Sequence, residues 1–173
     1  MREYLHRAYF WLAAVGLTLT LGLIISAQTP TPAPAAKGNA TVAMAKGTFD
    51  VKVVPLTADA IATEAGLAVY SIDKLWHGDI EGTSKGQMTA TQSGEDAGLY
   101  IALEKVTATL GGRHGTLVFE HRGYMAKGVQ DLSIKVVPGS GTGDLAGISG
   151  TLDIKIEDKK HFYEFDYTLP AKP

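Results

Sequence analysis

"AVYSIDKLWHGDIEGTSKGQMTAT" occupies residues 68–91, and its reading decides the fold. Tyr70, Ile72, Lys74 and Trp76 share one parity, and Asp73, Leu75 and His77 the other. A period of two belongs to a strand whose side chains alternate between the two faces of a sheet. Gly78 and Asp79 then form a turn. Alternation resumes beyond it, with Gly82, Ser84, Gly86 and Met88 on one face and Thr83, Lys85 and Gln87 on the other. Two such runs joined by so short a link make an antiparallel hairpin. The first strand is bulky on its apolar face and the second is small. Glycine inside a strand marks a bend or a close approach. The charged residues near the turn read as turn and rim, except Lys74, whose ammonium on an apolar face requires a partner.

The same pattern extends outward in both directions. Upstream, "TFDVKVV" (48–54) aligns Phe49, Val51 and Val53. Downstream, "LYIALEKVTATL" (99–110) sets Tyr100, Ala102, Glu104 and Val106 against Leu99, Ile101 and Leu103, so both of its faces read as at least half-buried. "TLVFEHRGYMA" aligns Leu117, Phe119, His121, Gly123 and Met125, and "QDLSIKVV" aligns Leu132, Ile134 and Val136. "TLDIKIE" aligns Leu152, Ile154 and Ile156, and "HFYEFDYTL" aligns Tyr163, Phe165, Tyr167 and Leu169. That makes eight strands. Turn-forming links such as "GGRHG" and "EDKKH" join them, with one longer link, "PGSGTGDLAGISG" (138–150). The helical candidates are "ATEAG" (62–66) and a single turn at "DLAG" (144–147). The expectation is an all-β domain over residues 47–170: an eight-stranded antiparallel up-and-down β-barrel, whose closure buries one face and removes exposed edges. A two-sheet sandwich is the rival.

Arg2 and Arg7 precede an uncharged, mostly apolar run from Ala8 to Ala27. A basic start followed by such a run is an export segment, and its length also suffices to span a bilayer. Ile25 is a poor residue three places before a cut at Ala27, so residues 1–27 read either as a cleaved signal peptide or as a retained anchor helix. A Pro/Ala/Thr-rich linker follows over 28–46. Either reading takes the remainder out of the cytoplasm, periplasmic or secreted, with membrane contact only through the N-terminal segment. The 16 basic and 18 acidic residues leave a net charge of −2 without a basic run, which argues against nucleic-acid binding. The absence of cysteine excludes disulfides, thiol nucleophiles and cysteine-based zinc sites.

If the apolar faces point inward, the lumen is greasy with a few polar groups, which is the composition of a small-molecule site. The candidate ligand-binding residues are Lys74, Trp76, Tyr100, Glu104, Phe119, His121 and Tyr163, with Glu104 and His121 as candidate acid–base groups. Burial would raise the Glu104 pKa and a nearby lysine would lower it again. The structural alternative is that Lys74 and Glu104 form a buried ion pair that fixes strand register. His77, His114, His121 and His161 lack ligand spacing, so no metal is expected. No phosphate loop or nucleophile elbow precedes a helix, so no cofactor is expected either.

"MAKGTFDVKV", "SIDKLWHGDIEGTSKGQM", "GTGDLAGISG" and "HFYEFDYTLP", in that order, resemble the bacterial family known as domain of unknown function 3224, over residues 44 to 170. That family in turn is similar to the allene oxide cyclase barrel-like (calycin-like) superfamily. The resemblance implies an eight-stranded barrel with a partly apolar cavity, and no assigned activity. The expected function is binding of a small apolar molecule in the lumen of an exported barrel. One alternative is an isomerase or cyclase acting on an apolar or lipid-like substrate. Another is a packed barrel serving as a structural or homo-oligomeric module, for which Leu99, Ile101 and Leu103 would supply an outer apolar stripe.

Overall fold

Each alternating segment becomes a strand in the computed structural model, which describes residues 40–92, 97–127 and 129–171. The expected export segment (1–27) and the first part of the linker (28–39) lie outside the described residues. The eight wall strands are β1 (Ala40–Leu56), β2 (Ala68–Gly78), β3 (Ile80–Gln92), β4 (Ala97–Leu110), β5 (Arg113–Ala126), β6 (Val129–Val136), β8 (Ser149–Glu157) and β9 (Lys160–Pro170). A two-residue strand, β7 (Thr142–Gly143), lies in the long link, and a single short helix, α1 (Ala60–Glu64), joins β1 to β2. Around the wall the order is β4-β3-β2-β1-β9-β8-β6-β5, and β5 pairs back onto β4 from Ala97↔Ala126 to Leu110↔Arg113. The barrel is therefore closed and up-and-down.

β1 begins seven residues before the expected start of the domain at residue 47. Ala40–Lys46, read from sequence as linker, pairs with β9 from Ala40↔Pro170 to Lys46↔Glu164. Small side chains hid this strand: Ala45, fully buried against the core, carries little hydrophobic signal. A second difference lies in β4, where Ile101 (49% exposed) and Leu103 (57%) face outward to solvent. Only the inward parity of that strand, Ala102 to Leu110, is buried.

The two ends of the barrel differ. At the end where β2 meets β3, Ile80, Leu110, Leu145, Ile148 and Leu169 are all buried. Leu145 and Ile148 come from the long link, which folds back as a plug; β7 pairs with β5 at Gly115↔Gly143 and Thr116↔Thr142. Arg113 fastens this plug by donating to the Asp144 carbonyl at 3.0 Å and to the Pro170 carbonyl at 2.7 Å. The β2–β3 turn is pinned from β1 and β9. Lys46 N–H donates to the Asp79 carboxylate at 2.8 Å, and the Tyr163 hydroxyl accepts from Ile80 N–H at 2.8 Å.

The opposite end is the less buried one. The inward side chains there, Val53, Tyr70, Met88, Tyr100, Met125, Leu132, Ile154 and Ile156, are half-buried or exposed. The wall also thins on this side: β6 and β8 share a single registered pair, Lys135↔Thr151, with none registered between it and the open end.

β3 explains how the barrel coils tightly beside β2 and β4. A Cβ on Gly82 would lie 2.2 Å from the Thr107 carbonyl oxygen, and one on Gly86 would lie 2.5 Å from that of Leu103. Both contacts are with backbone, so no rotamer change relieves them. Gly82→Val is expected to cost about 3 kcal/mol in urea unfolding, because the β3–β4 ladder must spread. Gly112, at φ 74° in the β4–β5 turn with nothing near its Cβ position, isolates the backbone effect; Gly112→Ala is expected to cost only about 1 kcal/mol.

Candidate functional site

The small face of β3 leaves room for the side chains of its neighbours. Val51↔Lys74 and Lys74↔Ser84 place Lys74 in the middle of the inner wall, and Gly86↔Glu104 places Glu104 one strand further on. Because Ser84 and Gly86 carry little bulk, Lys74 reaches across β3 to donate to Glu104 Oε2 at 2.8 Å. Ser84 donates to Glu104 Oε1 and accepts from Trp76 Nε1 at 2.9 Å. His121, from β5, brings Nε2 to 2.9 Å from Oε2, but poorly aligned for a hydrogen bond. The Lys74 ammonium also lies 4.5 Å from the Phe49 ring centroid and 4.9 Å from that of Trp76, where ring faces attract a cation.

The whole cluster is buried: Glu104 is 0%, His121 5% and Lys74 8% exposed. Burial alone would push Glu104 upward, as the sequence suggested. The His121 contact and the Lys74 charge together outweigh it and hold the carboxyl at about 2. Glu104 is therefore an anion at neutral pH and has no proton to give. Burial pushes Lys74 below its ordinary value, with Glu104 pushing back. Burial, and then the Glu104 charge, push the Tyr100 phenol up, so it stays protonated.

The structure divides the seven candidate ligand-binding residues by depth. Lys74, Glu104 and His121 form one buried polar cluster, and Tyr100, half-buried, lies on β4 towards the less buried end. Trp76, Phe119 and Tyr163 lie deeper, in an aromatic core with Trp76–Tyr163 centroids 5.2 Å apart and Phe119–Phe165 centroids 5.3 Å apart. The remaining charges of the opening stretch stay at the surface. His77 lies 3.2 Å from Asp50, and Lys85 pairs with Asp73. Sequence reasoning missed Ser84, whose hydroxyl links Trp76 to Glu104. Its only signal was an inward polar residue between two glycines. His161 was also missed as a lumen residue; it stacks on Phe49 at 5.0 Å.

A family model described as "Protein of unknown function (DUF3224)" matches residues 45–167. The chain belongs to that family. Among solved structures it is similar to the crystal structure of a protein of unknown function from the DUF3224 family of Shewanella oneidensis MR-1. The identity is 36% and the TM-score 0.69, and the match covers 76% of this chain and 100% of that one. No curated protein matches the chain.

The ion pair makes its own thermodynamic forecast. Glu104→Gln or Lys74→Met alone strands a buried charge and is expected to cost about 3–5 kcal/mol in urea unfolding. The double replacement removes both charges and is expected to recover most of that loss. Because the folded-state value of Glu104 lies below the ordinary 4.5, its contribution is fully present above that pH and is lost as pH falls towards about 2. In that window the double variant is expected to lose less stability than the wild type. Equal acid profiles would remove Glu104 from the account.

Proposed function

We propose that this DUF3224 member binds a small, largely apolar molecule in the open third of its barrel, with the ligand's polar end at the Lys74–Glu104–His121 floor. The observation that carries this reading is the contrast in depth. Below the floor the interior is filled by buried aromatic and aliphatic side chains, whereas above it Tyr70, Met88, Tyr100, Leu132 and Ile154 remain half-buried around an opening. An apolar wall with a few convergent polar groups suits such a ligand. The floor supplies polar groups whose charges are already balanced, so a ligand does not have to neutralise them. The sparse pairing of β6 with β8 gives flexible access from the side. We extend the proposal to location: the basic and apolar N-terminal segment would deliver the barrel outside the cytoplasm.

The outer stripe supports a second reading, self-association. Ile101, Leu103 and Tyr124 are each about half-exposed on the outside of β4 and β5. Strand register places Leu99 opposite Tyr124.

One pair of variants separates the two. In a titration with 8-anilinonaphthalene-1-sulfonate, Met88→Glu, which puts a charge in the wall of the opening, is expected to weaken binding by about tenfold or more. Leu103→Glu, on the outer wall, is expected to leave it unchanged. The reverse pattern, with Leu103→Glu shifting the sedimentation coefficient from a larger species to the monomer, would place the working surface on the outside.

A further inference from the structure

We infer that His121 and Tyr100 form a proton-transfer site for a carbonyl compound in the open end of the barrel, with Glu104 holding His121 in position. This rests on the reading that the open end takes an apolar ligand, and adds a reaction class to it: enolisation, and through it isomerisation, of an apolar ketone or aldehyde.

The hydrogen-bond inventory of the floor singles out these two groups. Lys74 is committed to Glu104 and to the faces of Phe49 and Trp76. Ser84 both donates and accepts, and each Glu104 oxygen has a partner. His121 differs. Its Nε2 lies 2.9 Å from Glu104 Oε2 without forming a hydrogen bond, and among the described residues Nδ1 makes none either. A carboxylate behind one imidazole nitrogen favours the tautomer with hydrogen on that side, leaving the other nitrogen free as a base. Tyr100 is the neighbouring group. Its ring covers Gly123, two positions from His121 on the same inner face of β5, so closely that a Cβ on Gly123 would lie 2.0 Å from Tyr100 Cε1. Among the described residues the Tyr100 hydroxyl makes no hydrogen bond, and being protonated it can donate one.

The step balances without a co-reactant. His121 Nδ1 takes the proton from the carbon next to the ligand carbonyl. The C–H electron pair becomes the enolate C=C bond, the C=O π pair moves to oxygen, and Tyr100 donates a hydrogen bond to that oxygen. His121 then returns the proton, to the same carbon or to the far end of a conjugated chain. The ionised Glu104 stabilises the imidazolium in between. His121 and Tyr100 are catalytic residues here, and Glu104 is a positioning residue.

The test uses 2-tetralone, an apolar ketone with acidic α-hydrogens, in heavy water, following α-deuteration by proton NMR and binding by saturation transfer. The wild type is expected to bind it and to accelerate exchange over buffer by about 10²–10⁴, the span of general-base catalysis. His121→Gln is expected to lose that acceleration while 2-tetralone still binds, and Tyr100→Phe to lose part of it. Because Glu104→Gln alone risks unfolding, the positioning role is read from the Lys74→Met/Glu104→Gln double variant and from imidazole ¹⁵N shifts. These are expected to report the Nε2–H tautomer of His121 in the wild type under alkaline conditions, and loss of that preference in the double variant. Binding without accelerated exchange, full exchange in His121→Gln, or an Nδ1–H tautomer in the wild type would each overturn the proposal while leaving the binding reading intact. No binding of 2-tetralone would overturn both.

Discussion

A lysine and a glutamate meeting across an intervening strand is the interaction on which the rest of this interior depends. Lys74 and Glu104 are not on adjacent strands; β3 runs between them, and they touch because β3 presents Gly82, Ser84 and Gly86 inward. The same small residues bring the β4 backbone close. Tight coiling and a buried charge cluster thus have one cause.

That cluster divides the barrel. Towards the plugged end, Phe49, Trp76, Phe119, Tyr163 and Phe165 pack as an aromatic core, supported by Leu145 and Ile148 from the long link. Towards the other end the inward side chains become less buried beyond Ile72, Ala102 and Ile134, and β6 and β8 share the single registered pair Lys135↔Thr151. Burying two charges is costly, and apolar replacements often serve stability equally well. Glu104 accepts from Lys74 and Ser84, and in the proposed site the proton chemistry falls to His121 beside it.

The strand count and the barrel were legible because each inward face repeats every two residues between turns, and eight consecutive antiparallel strands have few ways to bury one face. Lys74 stood out as a charge within an apolar parity, and Glu104 and His121 as polar breaks in two others. What could not be read is equally physical. Ala40–Lys46 is a strand because β9 is there to pair with it, and its small side chains carry no periodic signal. Parity placed Trp76, Phe119 and Tyr163 in the lumen but gives no depth along its axis, so floor and core looked alike. The direction of the Glu104 shift depended on two partners, His121 from β5 and Lys74 from β2, which only register brings together.

Glu104 is buried as an anion, paired with Lys74 and with His121 beside it. The direct measurement is a ¹³C NMR titration of the Glu104 side-chain carboxyl from neutral pH downward. Glu104 is expected to keep an unchanged, ionised shift until the pH approaches about 2. A midpoint at or above the ordinary 4.5 would show an unpaired carboxyl and contradict it.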